Sequence, residues 1–158
     1  MLRNIILSLL LLFVMSLPVS AQKKAANSKP TTIAALVEEA YSHVGARYRK
    51  GTAGPMAFDC SGFTSYVFKI VGIDLRRSSQ EQYRQGSRVG KKELRRGDLV
   101  FFTSPSSGHK IGHVGIVVDA NPSKGTFDFI HASSTGVRVT SSADAFYSRR
   151  YVGACRVI

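Results

Sequence analysis

The feature that most narrows what this chain can fold into is a change of hydrophobic period just after Gly86. Upstream, large apolar side chains recur at the spacing of a helix face; downstream, they fall in short runs typical of strands. Ile33, Leu36, Val37, Ala40, Tyr41 and Val44 mark one face of a helix that Thr31 or Thr32 can cap and Gly45 can stop. Phe63, Tyr66, Val67, Ile70 and Val71 mark a second, ending at Gly72, with Cys60 at its N-terminus. Ser78 followed by Glu81 has the spacing of a capping box and predicts a short third helix ending near Gly86. The segments 99–102, 114–118, 127–132, 137–140 and 151–157 are rich in β-branched and aromatic residues and separated by Gly, Pro, Ser and Asn, so they read as antiparallel strands. Helices first and strands second predict an α+β single domain, its N-terminal helices packed on one side of a small antiparallel sheet.

The first residues read differently. Arg3 precedes an apolar run from Ile5 to Val19 that is too short for a bilayer span. Pro18 and the modest side chains of Val19, Ser20 and Ala21 predict a signal peptide over residues 1–21, cleaved after Ala21, with a retained membrane anchor as the alternative. No Cys lies near the end of the run to accept a lipid, so no stable membrane anchor is expected after cleavage. Residues 22–30 lack large apolar side chains and read as a flexible tether, leaving 31–158 as the domain.

The formal charge is +12, and the leader contributes only Arg3 to it. Such a charge favours polyanions: nucleic acid, anionic cell-wall polymers or an anionic membrane surface. The basic residues are scattered in pairs (Arg76 and Arg77, Lys91 and Lys92, Arg95 and Arg96, Arg149 and Arg150) rather than gathered on one helix or interleaved with aromatics. That distribution argues against nucleic acid as the partner.

Only Cys60 and Cys155 are available for thiol chemistry, and in an oxidising compartment they form a candidate structural pair. The surroundings of Cys60 favour a nucleophile instead. At a helix N-terminus, unpaired amides and the positive end of the macrodipole are expected to stabilise its thiolate and the oxyanion of an acyl-transfer intermediate. A base must come from His43, His109, His113 or His131. His113 and His131 each lie in or beside a predicted strand, and neighbouring strands can bring them together, His113 accepting the Cys60 proton and His131 orienting the His113 ring. His43, outside the apolar face of the first helix, and His109, in a polar loop, are expected to face solvent. A zinc site from Cys60, His113 and His131 lacks paired ligands at short spacing and is not expected.

Tyr48–Thr52, Phe58–Gly62, Leu75–Ser79, Gly97–Phe102, His113–Ile116 and Ile130–Ser133 occur in an order that resembles the NlpC-type family of papain-like cell-wall cysteine peptidases. The resemblance spans nearly the whole predicted domain. It implies a papain-like fold and hydrolysis of peptidoglycan stem peptides, typically at the γ-D-glutamyl bond to diaminopimelate or lysine, with no metal or cofactor. The leader sets this reaction outside the cytoplasm, and a monomer is expected. The alternatives are a related amidase or acyltransferase with the same triad, or a non-catalytic basic wall-binding module. By position it makes Cys60 the nucleophile, His113 the base and His131 the third polar member. Tyr48 is implied to serve the oxyanion or the substrate, and Asp59 and Ser78 to help bind the stem peptide. Both of the latter can equally be simple helix caps. Ser61 and Gly62 are expected to let the helix start pack tightly on the sheet, and Gly97 with Asp98 to form the turn into a strand. Where Thr52 and Arg76 stand the family often has glycine and proline, and where Cys155 stands it commonly has a basic residue. Cys155 is expected to be a partly buried free thiol, exposed to intermolecular pairing.

Overall fold

The computed structural model describes residues 32–158. The expected signal peptide, its cleavage after Ala21, the tether and the cap at Thr31 lie outside the described residues. The first helix, α1 (Thr32–Ser42), buries Leu36, Val37 and Ala40. Tyr41 and Val44 do not belong to its buried face: they stand 46% and 52% exposed. The helix stops at Ser42 and its main helical neighbour is the next helix alone, so the buried stripe is narrower than the apolar spacing suggests.

Two short parallel strands, β1 (Arg47–Tyr48) and β2 (Ala57–Phe58), lead into α2 (Cys60–Ile70). This helix buries Phe63, Thr64, Val67 and Phe68, while Ile70 is 56% exposed. Its buried face is thus turned toward Thr64 and Phe68 relative to the sequence expectation. The Thr64 hydroxyl tolerates burial because its one proton has two acceptors in reach, Gln82 Oε1 at 2.8 Å and the Ser61 carbonyl at 3.0 Å. The third helix, α3 (Ser79–Gln85), is capped by Ser78 through a complete capping box with Glu81 and stops at Gly86, as its sequence predicts. Gln82, fully buried, joins it to α2 by donating to the Ser61 carbonyl and Ser65 Oγ.

The remaining elements are β3 (Ser87–Val89), a 3-10 turn (Lys91–Glu93), β4 (Leu99–Thr103), β5 (Ile111–Asn121), β6 (Thr126–Ser133), β7 (Gly136–Ser141), the one-turn α4 (Ala145–Ser148) and β8 (Tyr151–Arg156). β3 to β8 form one sheet in the order β3-β8-β4-β5-β6-β7, every neighbouring pair antiparallel. All five predicted strands are in it. β1 to β3, the 3-10 turn and α4 are too short to carry a readable period.

Alternation along the strands gives the sheet two apolar faces. Leu99, Phe101, Val114, Ile116, Ile130 and Ala132 pack with the buried sides of α1 and α2. Val100, Phe102, Val117, Phe127 and Phe129 form a second core with Leu94, Tyr147 and Tyr151. Each buried phenylalanine contributes on the order of 2 kcal/mol or more of transfer free energy. The helices therefore cover one face, as expected, and the second is closed by loop segments and α4.

Candidate active site

Cys60 is the first residue of α2, and Asp59 is its N-cap, with Oδ1 accepting from the Gly62 amide at 2.7 Å. The same carboxylate accepts from the Gly51 amide at 2.8 Å and from Arg77 at 3.0 and 2.6 Å. The Arg77 guanidinium and the two amides hold the Asp59 carboxyl below its ordinary range, against the burial that would raise it. Asp59 therefore joins the loop before α2, the helix start and the segment before α3. Gly62 is required for a different reason from the one expected. A Cβ there would strike the Thr52 carbonyl and come within 3.0 Å of the Ala53 Cα, so the close approach is to the 51–55 loop and not to the sheet.

The histidines come from the second face of the sheet. His113 stands opposite Phe102 near the start of β5, beside a register shift between Phe102 and Thr103. His131, fully buried, lies one strand over in β6. Their rings meet edge to face, with His113 Nε2 2.8 Å from His131 Nδ1. Gly115 makes room for this meeting, because a Cβ there would come within 3.2 Å of the His131 Cβ and 2.6 Å of the Phe129 ring. On its far side His131 Nε2 lies 2.9 Å from Thr140 Oγ1, on β7. Tyr147, from α4, packs against both rings at centroid distances of 5.9 and 5.1 Å.

With Nε2 of His113 engaged by His131, Nδ1 is the ring nitrogen left for the cleft. Cys60 reaches the same strand end, where its thiol is 3.9 Å from the Gly112 carbonyl. Cys60, Gly112, His113, Tyr48 and Tyr147 line one cleft of about 530 Å³, closed on another side by the serine-rich turn after β4. If His113 Nδ1 is to accept a proton, Nε2–H must donate to His131 Nδ1, and His131 Nε2–H must donate to Thr140. Nothing in the sequence marks Thr140 or Tyr147 as part of the site. Neither residue type signals chemistry at its position, and only strand pairing and the α4 turn bring them to the histidines.

The electrostatics correct one expectation. Burial, and next the neighbouring Asp59 carboxylate, push the Cys60 thiol above its ordinary value, outweighing the backbone amides of Ser61, Val114 and Cys60 that favour the thiolate. Burial also pulls His113 down to about 4 and His131 to about 2. These shifts favour the neutral thiol and the neutral imidazoles over their charged forms. The pull of the helix terminus toward the thiolate is opposed by desolvation of the site and by the anionic N-cap.

Tyr48, on β1, is 38% exposed at the cleft, its hydroxyl pKa raised by burial and by the proximity of Cys60 and Asp59. Ser78 is exposed, and its side chain is occupied in the α3 capping box. His109 faces solvent as expected. His43 does not: it is part-buried between Phe58 and Tyr66 at 5.1 and 5.2 Å, with its Nε2 2.9 Å from Glu39. Both cysteines are free. Cys155 is fully buried rather than partly, its thiol pushed up to about 11 by burial, so it is withdrawn from intermolecular pairing. Asp98 is more than a turn residue. It is buried and holds Arg156 through two contacts of 2.7 Å. Among the described residues no group of three or more His, Cys, Asp or Glu side chains is arranged to hold a metal ion.

A family model described as the NlpC/P60 family matches residues 45–156. The chain is 42% identical over 122 residues to a probable endopeptidase p60 of Listeria welshimeri, covering 77% of this chain and 22% of that protein. It is 40% identical over 116 residues to the Escherichia coli murein DD-endopeptidase MepS/murein LD-carboxypeptidase, covering 72% and 57%. The alignable part thus spans between under a quarter and just over half of these relatives. A crystal structure of a lipoprotein-like NLP/P60 protein from Staphylococcus aureus superposes with a TM-score of 0.71 at 31% identity, covering 84% of this chain and 45% of that one. That likeness identifies the α+β fold as papain-like.

Proposed function

Because the chain belongs to the NlpC/P60 family, we propose that it is a cysteine endopeptidase of peptidoglycan stem peptides, acting outside the cytoplasm through Cys60, His113 and His131. The observation that carries this reading is the convergence at one cleft of the α2 N-terminal thiol and a hydrogen-bonded histidine pair. In the proposed reaction, His113 Nδ1 takes the thiol proton as Cys60 Sγ attacks the scissile carbonyl carbon. Coupling proton transfer to attack suits a site that favours the neutral thiol. His131 keeps the His113 ring oriented and accepts from its Nε2–H. In this reading the free amides at the start of α2 and the Tyr48 hydroxyl hold the tetrahedral oxyanion. Collapse expels the amine, which takes the proton from His113, and leaves a thioester. Water, deprotonated by His113, then releases the acid and restores the thiol.

The bond we assign is the γ-D-glutamyl bond to diaminopimelate or lysine. The likeness to a protein named as a murein DD-endopeptidase favours a second reading, a bond between two D-centres. Purified peptidoglycan and defined stem peptides, digested with the native chain and with Cys60→Ala, separate the readings by mass spectrometry. The first expects a new amine on the diamino acid and a free D-glutamyl carboxyl. The second expects cross-linked dimers to fall to monomers. No new termini with the native chain, or full activity in Cys60→Ala, would overturn the proposal.

A further inference from the structure

The chain carries a second concave feature at the opposite end of the sheet. β3, the 3-10 turn, the segment that follows it and the end of β8 enclose a recess of about 460 Å³, lined by Arg88, Lys92, Arg95 and Arg156, with Glu93 the one carboxylate among its lining residues. Lys91 and Arg96 flank it, so residues 88–96 hold five cations against a single acid. Arg156 is neutralised by Asp98, and the Glu93 carboxylate is turned toward the Gly90 amide at 3.1 Å. Among the described residues, Lys92, Arg95 and Arg96 form no ion pair. Like charges gathered within a Debye length, about 8 Å at physiological salt, repel one another, and a multivalent anion relieves that repulsion while releasing its own counterions. Guanidinium forks suit the paired oxygens of a phosphate.

The position of the recess matters as much as its charge. Pro122, on its wall, follows the last residue of β5, whereas His113 lies near the first. Eight strand steps separate His113 from Asn121, about 27 Å at the antiparallel rise. An extended polymer seated in the recess therefore leaves the cleft open. Nucleic acid suits the surface poorly. The nearby rings that could stack on bases are covered, Tyr83 by Arg88 at 3.3 Å and Tyr151 by Lys91 at 5.5 Å, and the 3-10 turn is too short to enter a groove.

We propose that this recess docks a phosphodiester-bearing anionic polymer of the cell envelope, holding the chain on the wall while the cleft works on stem peptides. The proposal rests on the peptidase reading for its setting. It gives the overall positive charge a specific address. Lys92 and Arg95 are the main contacts, because no internal partner competes for them.

The test measures binding of the full chain to fluorescently labelled synthetic poly(glycerol phosphate) by anisotropy, from about 50 to about 300 mM salt. The variant Arg88→Gln/Lys92→Gln/Arg95→Gln is compared with Lys50→Gln/Lys69→Gln/Arg149→Gln, which removes the same charge elsewhere. The recess variant should lose at least about tenfold in affinity, and its log–log salt slope should flatten by about 2, near 0.7 for each lost phosphate contact on a flexible strand. The control set should stay within about twofold. Equal losses in both sets would overturn the proposal, since the whole-protein field would then explain binding. Tighter binding to oligo(dT) or to phosphatidylglycerol vesicles than to the polymer would overturn it as well. The double variant Lys92→Gln/Arg95→Gln covers the case in which Arg88, tied to Tyr83, is needed for folding. Hydrolysis of a soluble stem peptide, read in parallel, keeps the two ideas separate. Loss of hydrolysis in the native chain overturns the peptidase reading alone, and loss of the difference between the variant sets overturns the docking surface alone.

Discussion

Replacing Thr140 by valine keeps the shape of the side chain and removes the polar partner that His131 Nε2 has among the described residues. His131 is fully buried and Thr140 is 6% exposed, so water is poorly placed to substitute. If the His131 proton stays on Nε2, a buried N–H is left without an acceptor at a cost of about 1–3 kcal/mol. If it moves to Nδ1, the ring no longer accepts from His113 Nε2–H, and His113 is driven to the tautomer that carries its proton on Nδ1, facing the cleft. That tautomer cannot take the Cys60 proton. By either route the competent arrangement becomes less populated by the same order of free energy, which converts to about 5- to 160-fold in kcat. Hydrolysis of a soluble stem peptide should show kcat falling with KM nearly unchanged, because Thr140 does not line the cleft. Thr140→Ser, which keeps the hydroxyl, should recover most of the rate. A folded Thr140→Val protein with kcat within about twofold of native would refute the reasoning, since the relay would then not require the hydroxyl.

Three further outcomes follow from the same geometry. Gly115→Ala should lower the melting temperature and the rate together, by roughly 1–3 kcal/mol of overpacking, because the new methyl meets Phe129 and His131; unchanged melting would contradict this. The depressed His113 and His131 also make stability depend on pH. The unfolded histidines, near 6.5, bind protons that the folded ones refuse, so stability is full above about pH 6.5 and declines by roughly a few kcal/mol as pH falls toward 4. A urea midpoint equal at pH 7 and pH 4.5 would argue against it. Finally, the Cys60 thiol, raised by burial, should be alkylated at a rate that climbs about tenfold per pH unit through the neutral range. A plateau below pH 7 would indicate the standing thiolate that the electrostatics oppose.

Much of this arrangement was legible in the chain. Helical period located α1, α2 and α3, and the capping box at Ser78 and Glu81 marked the start of α3 to the residue. Placing Cys60 at a helix start needed only local pattern, and so did placing His113 and His131 in strands. Asp59 and Ser78 showed the limit of that reasoning. Each was readable as a cap or as a substrate contact, and their geometry is that of caps, with Asp59 carrying Arg77 and Gly51 in addition. Nothing in the sequence linked Arg77 to Asp59, because the pairing depends on how the segment before α3 folds back on α2.

What the sequence determined by itself was the set of elements, their order and the residue types able to do thiol chemistry, since hydrophobic period, caps and turn residues act over a few neighbours along the chain. What only the tertiary structure decided was which of those residues meet and in what electrostatic setting. Strand register set His113 against His131 and His131 against Thr140, through pairing between strands rather than along one. Burial then works against the expected Cys60 thiolate, because desolvation depends on everything packed around a group and not on its neighbours along the chain. The same long-range folding brought Arg156 and Pro122 against the basic stretch 88–96 to form one recess.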